Sequence, residues 1–313
     1  MLIIIPYHVF GRLAVLKNKQ VWFFICLAIM EFAGITCFIA HIRHPKADKS
    51  VEIYVVYHKP APLVKNEVLI PIRAGKALKT EAGEAITDEM IGDDTGFHIS
   101  DKNDRYSELT VLYWIWKNSK ADIVGLMHYR RFLELNPEGK PLPAGDNPMD
   151  YFHGLQKDNI LKYMQEYDVI VPEKWGTNVG NNLYEHYKAS HYIEDLYIVM
   201  RYIKHKYPEM NETLEEHVKQ GRWTGTNLFI AKKEVIDQYC AWLFDILFSV
   251  DEDLSVDHSL FDTEIRFNGV TSEYQRRAPG FLAERLFSVW LDYYSDKYKI
   301  KRVPMVFFEP EGT

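Results

Sequence analysis

Short apolar runs rich in β-branched residues alternate along this chain with longer stretches whose apolar residues recur every three or four positions. The short runs predict buried strands and the longer stretches predict amphipathic helices. The predicted strands are Val51–Tyr57, Val68–Ile70, Ile123–Met127, Asp168–Val171, one within Trp223–Ala231, and Val303–Phe308. The predicted helices are Ser107–Asn118, one from about Pro148 to Tyr167, Leu183–Tyr207, Lys233–Val250, and one within Arg276–Tyr294.

Two of these helices have well-defined inner faces. The face of Lys233–Val250 comprises Val235, Tyr239, Trp242, Leu243, Ile246 and Leu247, and that of the last helix comprises Leu282, Leu286, Val289, Trp290 and Tyr293. Glu284 and Ser288 lie on another face of the last helix. Strands that alternate with helices predict an α/β domain with a mostly parallel central sheet flanked by helices.

In the segment Ala121–Phe132 (ADIVGLMHYRRF), a buried strand ends abruptly in one imidazole and two guanidinium groups. Open α/β sheets bind ligands at the carboxyl ends of their strands, and paired arginines suit a phosphate or a carboxylate. If the strand continues, alternation predicts His128 and Arg130 on one face and Arg131 on the other. The alternative is that both arginines pair with acidic side chains and cap the sheet.

The stretch Val21–Ala40 is twenty residues long and carries one charge, Glu31, so it is long enough to span a bilayer. It lacks a signal-peptide cleavage site, and three basic residues on either side give no orientation. We expect a membrane anchor in residues 1–50 and a separate domain over 51–313. A buried helix, or an extension outside the working protein, is the alternative.

Composition narrows the functional classes. The 313 residues are 47% hydrophobic and 26% charged, which suits a globular protein with a sizeable core. Residues 1–50 hold six Lys/Arg and two acids, so the overall charge of -7 leaves the remainder at -11, which argues against nucleic-acid binding. The three cysteines, Cys26, Cys37 and Cys240, form no disulfide or zinc pattern and fit a reducing compartment.

Polar residues with ligand-binding chemistry are concentrated in Gly92–Asn103, which includes Asp93, Asp94 and Asn103. This loop suits either a ligand or a series of turns. The string Asp251–Asp253 is the sole D-x-D, and its position after a predicted helix indicates a solvated loop. His186 and His191 are five residues apart, a poor spacing for a shared metal, so we interpret both as packing or surface residues.

Seven segments, taken in order, resemble a bacterial family of exopolysaccharide and capsular polysaccharide glycosyltransferases. The resemblance covers about residues 52–310 and leaves residues 1–50 outside. Its segments are IYVVYHKP (Ile53–Pro60), DDTGFHISDKN (Asp93–Asn103), YSELTVLYWIWKN (Tyr106–Asn118), DIVGLMHYRRF (Asp122–Phe132), GTNLFIAKKE (Gly225–Glu234), YCAWLFDIL (Tyr239–Leu247) and PGFLAERLFSVWL (Pro279–Leu291).

The resemblance implies a single GT-A-like domain that binds a nucleoside-diphosphate sugar. Some family members are thought to transfer galactofuranose from its UDP donor, so the implied partners are a UDP-sugar and a lipid-linked or growing polysaccharide. Since the donor is made in the cytoplasm, we expect the domain on the cytoplasmic side of the bacterial cytoplasmic membrane, attached through residues 21–40.

The family resemblance leaves the metal question open. Most GT-A enzymes hold a metal with a D-x-D after a central strand, whereas the comparable strand here ends in His128–Arg131. Either the arginines offset the diphosphate charge without a metal, or Asp93 and Asp94 supply ligands for Mn or Mg.

The implied chemistry assigns candidate roles. Arg130, Arg131 and His128 are assigned to the diphosphate, and Asp93, Asp94 and Asn103 to donor contacts. In an inverting enzyme a carboxylate or an imidazole should accept the acceptor's proton, which makes Glu284 and His128 the catalytic candidates. The alternative for Glu284 is an ion pair. Asn227 is a candidate sugar contact, with backbone capping as its alternative.

Two other functions remain open at this point. A sugar-phosphate transferase of capsule synthesis would use the same cations on a diphosphate. A non-catalytic polysaccharide-binding or assembly subunit would bind sugar without nucleotide, and the two arginines disfavour it because neutral sugars do not need them.

Overall fold

The fold is built on one mixed β-sheet. A computed structural model describes residues 49–80, 86, 89–135, 154–254 and 272–308. The candidate membrane segment Val21–Ala40 and the start of the helix predicted near Pro148 lie outside these residues. Within them, no helix has the length and apolar character needed to cross a bilayer.

Nine of the described strands form the main sheet and two form a small ribbon. The main path runs in the order β10-β6-β9-β4-β1-β2-β3, and β5 connects β4 to β11. The strands are β1 (Val51–Tyr57), β2 (Leu69–Arg73), β3 (Ile91–Gly92), β4 (Ile123–His128), β5 (Arg131–Leu133), β6 (Val169–Pro172), β7 (Trp175–Gly176), β8 (Arg222–Trp223), β9 (Phe229–Lys232), β10 (Ile300–Val303) and β11 (Met305–Phe307).

Most neighbours along the main path are parallel, as the sequence predicts. The pairs β4-β1, β1-β2, β2-β3 and β10-β6 are parallel, whereas β9 runs antiparallel to both β4 and β6. The carboxyl ends of β1, β2, β3, β4 and β6 therefore lie at the same edge of the sheet as the amino end of β9.

Helices cover the sheet, and successive strand residues point into two separate cores. Tyr54 and Val56 contribute to one core, while Ile53 and Val55 contribute to the other. The helices are α1 (Asn103–Tyr106), α2 (Leu109–Asn118), α3 (Lys157–Glu166), α4 (Leu183–Ser190), α5 (Ile193–Lys206), α6 (Asn211–Val218), α7 (Lys233–Leu254), α8 (Ser272–Gln275) and α9 (Ala278–Tyr293). Short 3₁₀ turns lie at Ser100–Lys102 and Pro208–Met210.

Two helix predictions need correction. The helix predicted over Leu183–Tyr207 is two helices, because His191 is extended (φ -146°, ψ 173°) and separates α4 from α5. The Asp251–Asp253 string is not a loop but the last turn of α7, where Leu254 is buried. Asp251 forms salt bridges with Lys102 at 3.2 Å and Arg105 at 2.9 Å.

Asp93 is a fully buried carboxylate that joins the loops after β2 and β3. Its oxygens accept hydrogen bonds from the backbone N–H groups of Gly75 and Lys76, at 2.9 and 3.1 Å, and from two side-chain hydroxyls. The hydroxyl donors are Ser100 and Thr110. These four donors use the roughly four lone-pair sites of a carboxylate.

Replacing Asp93 with alanine is expected to lower the free energy of unfolding by about 3 to 5 kcal/mol, because four buried donors lose their acceptor. Urea unfolding measures this change. Asp101→Ala, at an exposed position in the same loop, is the matched control, and we expect it to change stability by less than about 0.5 kcal/mol. Equal effects of the two substitutions would contradict this role for Asp93.

Candidate functional site

Several polar side chains meet at the edge of the sheet where the parallel strands end. His58 directly follows β1, and His128 is the last residue of β4. The two rings are 5.5 Å apart because β1 and β4 are adjacent and parallel. Asn227 precedes β9 and reaches this edge because β9 runs in the opposite direction. This is the edge at which ligands bind in open α/β sheets.

A cavity of about 540 Å³ opens at this edge, a size typical of small-molecule sites. One wall is a single face of α9 and the residue before it, where the lining positions follow helical spacing. They are Arg277, Gly280, Phe281, Glu284 and Arg285. The other walls come from the strand ends, from the start of α2 and from α4. A neighbouring cavity of about 250 Å³ shares His58, Ser107, Glu108, His128 and Arg277 with it.

The segment after β4 differs from the sequence prediction. The strand ends at His128, and Tyr129 and Arg130 form a turn into β5, so that His128 pairs with Arg131 across an antiparallel hairpin. Since the strand does not continue past His128, the alternation expected of a continuing strand does not apply to Arg130 and Arg131. His128, Arg130 and Arg131 all line the same cavity.

Neither arginine of this turn forms an ion pair within the described part of the chain. The Arg130 guanidinium lies 5.2 Å from the Phe307 ring, and its buried Nε has no hydrogen-bond partner among the described residues. The Arg131 guanidinium lies 5.6 Å from the same ring. Among the residues that the structure describes, the alternative in which both arginines pair with acids and cap the sheet is not observed.

The described lining has more positive than negative charge. Four arginines and two glutamates line the cavity. Arg277 donates to the Ser107 hydroxyl at 3.0 Å, and the closest ion pair is a long one, 3.4 Å, between Arg285 Nη1 and Glu284 Oε2. Such an excess of guanidinium groups in a concave site favours an anionic ligand.

Glu284 lies in the cavity with 23% of its side chain exposed. Burial raises its pKa to about 7, and the neighbouring Glu108 adds to this effect. Arg285, Arg131 and Arg277 oppose the rise in the pKa of Glu284 because they favour the charged form. A carboxyl group of this kind exchanges a proton near neutral pH, as a general base must.

Asn227 is held by Glu108, at the start of α2. Its Nδ2 donates to Glu108 Oε1 at 2.8 Å, while its buried Oδ1 has no partner among the described residues. Gly225 makes this placement possible with a φ of +63°, and a Cβ at that position would lie 2.4 Å from Trp175 Nε1. Backbone capping, the alternative predicted for Asn227, is not observed among the described residues, because the side-chain amide donates to Glu108 instead.

Four histidines line the cavity and are neutral at pH 7. Burial is the largest cause of the lowered pKa of each histidine, and neighbouring cations lower the pKa further. The pKa of His58 and that of His186 fall to about 4, that of His128 to about 3 and that of His191 to about 2. His186 and His191 both line the cavity, and His191 also packs against Phe281 with ring centroids 4.1 Å apart, in agreement with its interpretation as a packing residue.

Three residues of the Gly92–Asn103 loop are predicted to contact the sugar donor, and the structure does not place them beside the cavity arginines. Asp93 and Asp94 do not line the main cavity, and Asn103 lines only the neighbouring one. Asn103 Nδ2 donates to Ser107 O at 2.6 Å and to Thr110 Oγ1 at 3.0 Å. Their assignment to the donor remains a sequence-based prediction.

A metal held by Asp93 and Asp94 does not fit the residues present. All four acceptor positions of Asp93 are used by protein donors. Across the described ranges, no three His, Cys, Asp or Glu side chains cluster in a way that could hold a metal ion.

Sequence analysis missed several lining residues, notably His58, Arg277, Arg285 and Trp223. His58 could have been found by the argument used for His128, since both follow apolar strands. Trp223 and Arg285 come together only in the folded chain, where the guanidinium carbon lies 4.4 Å from the indole ring.

The fold is that of an α/β protein with a mixed, mostly parallel central sheet flanked by helices, and its cavity lies at the carboxyl edge of the parallel strands. Residues 52–296 match a family model described as a domain of unknown function, DUF4422, and the chain belongs to this family. A comparison with curated proteins finds no match.

The chain is also similar to a solved structure, the apo form of the bifunctional glycosyltransferase WbbM. The two agree with a TM-score of 0.70 and 27% sequence identity over 83% of this chain. The match covers 46% of the WbbM chain, so this protein spans about half the length of that relative.

Acid is expected to destabilise the protein through the cavity histidines. Their folded pKa values lie below the unfolded value of about 6.5, so below that pH the unfolded chain binds more protons and the free energy of unfolding falls. His191→Gln removes one such group and is expected to reduce this dependence by about 1.4 kcal/mol per pH unit.

Urea unfolding at a series of pH values from about 4.5 to 8 measures this slope. His205→Gln, at an exposed position near the end of α5, is the matched control and should keep the wild-type slope. Burial raises the pKa of Asp195 and that of Glu284 to about 7, so these two groups make the free energy of unfolding rise as the pH is lowered. Their contribution is the same in both variants. An unchanged slope in His191→Gln would contradict the assignment.

Proposed function

We propose that this chain is a glycosyltransferase that moves a sugar from a nucleoside-diphosphate donor to a hydroxyl group of an acceptor saccharide. The observation that carries the proposal is the cavity at the carboxyl edge of the sheet, where Arg130 and Arg131 have no acidic partner among the described residues and Glu284 has a pKa near 7. The similarity to WbbM, a bifunctional glycosyltransferase, supports the reaction class.

In this proposal the turn after β4 binds the diphosphate. Arg130 and Arg131 project planar donor groups into the cavity, and such groups bind phosphate oxygens in pairs. When the bond between the anomeric carbon and the diphosphate breaks, negative charge develops on the leaving oxygen. Fixed guanidinium groups stabilise that charge in the transition state.

Glu284 is the proposed general base. As the acceptor oxygen forms its bond to the anomeric carbon, the Glu284 carboxylate takes the hydroxyl proton. Its pKa near 7 leaves about half of the molecules ionised at neutral pH. His128, with a pKa near 3, is a weaker base, and we assign it to the diphosphate side of the cavity.

The finer assignment rests on the family resemblance. We propose a GT-A-like domain with a UDP-sugar as donor, with galactofuranose as one candidate sugar, and a lipid-linked or growing polysaccharide as acceptor. The domain would act at the cytoplasmic face of the bacterial membrane, with residues 21–40 as its anchor.

UDP binding is the first test. Calorimetric titration of the full chain with UDP should give binding that Arg130→Ala weakens by about 10- to 100-fold, because a charge-assisted hydrogen bond contributes about 1.5 to 3 kcal/mol. Arg201→Ala, an exposed arginine on α5, is the matched control and should bind UDP like the wild type.

The outcomes separate the competing functions. Undetectable binding of UDP and of other nucleoside diphosphates would contradict the donor site and favour a non-catalytic polysaccharide-binding subunit. If the chain binds UDP, analysis of the product distinguishes a glycosidic bond from the phosphodiester that a sugar-phosphate transferase would make.

Replacing Glu284 with glutamine tests the base. We expect the transfer rate to fall by about 10² to 10⁴-fold with UDP affinity retained, because general-base catalysis contributes that much. In the wild type, kcat/KM should fall as pH is lowered through about 7, where Glu284 becomes protonated. If kcat/KM of Glu284→Gln still falls as the pH is lowered through about 7, another group accepts the proton.

A further inference from the structure

One part of the cavity wall is lined with aromatic rings. We call it the Arg285 region and define it by Arg285, Trp223, His186, His191, Tyr274 and Phe281. His191 stacks on Phe281 with ring centroids 4.1 Å apart, and Tyr274 stacks on the same ring at 4.8 Å. These rings also line the cavity, and aromatic side chains in a cavity wall provide apolar surface against which the C–H face of a sugar ring packs.

Arg285 is the single described cation within this region, and its charge is incompletely matched. The residue is only 6% exposed, and its guanidinium lies between the Trp223 and Tyr187 rings, at 4.4 and 5.0 Å. Nη1 donates to the Phe281 carbonyl at 2.7 Å. Nη2 is 3.3 Å from His186 Nδ1, and the buried Nε has no partner among the described residues.

The nearest carboxylate does not satisfy this guanidinium. Glu284 is the preceding residue on α9, and its Oε2 is 3.4 Å from Nη1, beyond the 2.7 to 2.9 Å of a strong charge-assisted bond. A buried charge without a close partner costs free energy, which an incoming anion would recover. The long contact leaves the charge of the guanidinium incompletely compensated, and its Nε has no hydrogen-bond partner among the described residues.

Glu284 lines the same cavity as Arg130 and Arg131 and is the residue before Arg285 on α9. The pKa of His128 responds to His58, Arg130 and Arg131, whereas that of His191 responds to Arg285 and His186. The pKa of Glu284 responds to both Arg131 and Arg285. Because Glu284 Oε2 is 3.4 Å from Arg285 Nη1, a saccharide held by Arg285 would have a hydroxyl group near the proposed base.

We propose that the Arg285 region is the acceptor site and that it selects an acceptor saccharide carrying an oxyanion, which Arg285 binds while the sugar ring lies against the neighbouring aromatic faces. That this region binds the acceptor rests on the proposed function, whereas its preference for an anion follows from Arg285 itself. The oxyanion has two possible sources, the carboxylate of a uronic acid and a phosphate attached to the sugar.

The test uses the full chain with its donor site filled by saturating UDP. Saturation-transfer NMR then measures the dissociation constants of three saccharides: methyl β-glucuronide, glucose 1-phosphate and the neutral methyl β-glucoside. We expect at least one of the two anions to bind about tenfold or more tightly than the glucoside, since hydrogen bonds to charged groups carry that discrimination. The preferred anion identifies the source. Equal binding of all three saccharides would overturn the proposal.

Variants then assign the preference to Arg285. Arg285→Gln should reduce the ratio of the affinities for anionic and neutral saccharides to about one. Arg201→Gln, at an exposed position, should keep the wild-type ratio. Phe281→Leu should weaken all three saccharides alike and retain the ratio, because the ring contributes contact and no charge. A retained preference in folded Arg285→Gln would contradict the assignment, and the wild-type comparison decides the anion preference even if that variant does not fold.

Failure of the donor assignment gives a different pattern. If calorimetry detects no UDP binding, the saccharide titrations are repeated without UDP. An anion preference that depends on Arg285 would then support the saccharide site while contradicting the proposed transferase.

Discussion

The rest of the site depends on an excess of positive charge in the cavity at one edge of the sheet. Four arginines and two glutamates line the described cavity, and Arg130 and Arg131 have no acidic partner among the described residues. Desolvated guanidinium groups are costly unless they are paired. A cavity that leaves them unpaired in the absence of ligand is prepared for an anion, since the groups need little reorganisation when the anion binds.

Sheet topology explains why these groups meet. His58 and His128 are seventy residues apart in sequence, yet adjacent parallel strands bring their rings to 5.5 Å. The reversed strand β9 brings Asn227 to the same edge, and α9 adds Glu284 and Arg285 from one helix face. The packing of α9 fixes that face, because Leu282, Leu286, Val289 and Trp290 on the other side are fully buried.

Local patterns predicted the elements better than they predicted the site. The strand before His128, the inner face of α7 and the carboxyl-edge location of the arginines follow from periodicity and strand polarity. The turn at Tyr129–Arg130 could not be read from an alternation that presumes a continuing strand. Asp93 resembles a ligand in sequence, and only the folded chain brings four donors to it. Arg285 contacts Trp223, which is sixty-two residues away in sequence, and no local pattern predicts that contact.

The most direct test of the central claim is a crystal structure of the full chain with UDP. The account predicts the diphosphate at the carboxyl edge of the sheet, with phosphate oxygens within about 3 Å of the Arg130 and Arg131 guanidinium groups. It also predicts that Glu284 faces the open side of the β-phosphate, where a sugar would be attached. A diphosphate bound elsewhere, with both guanidinium groups left without an anion, would contradict the account.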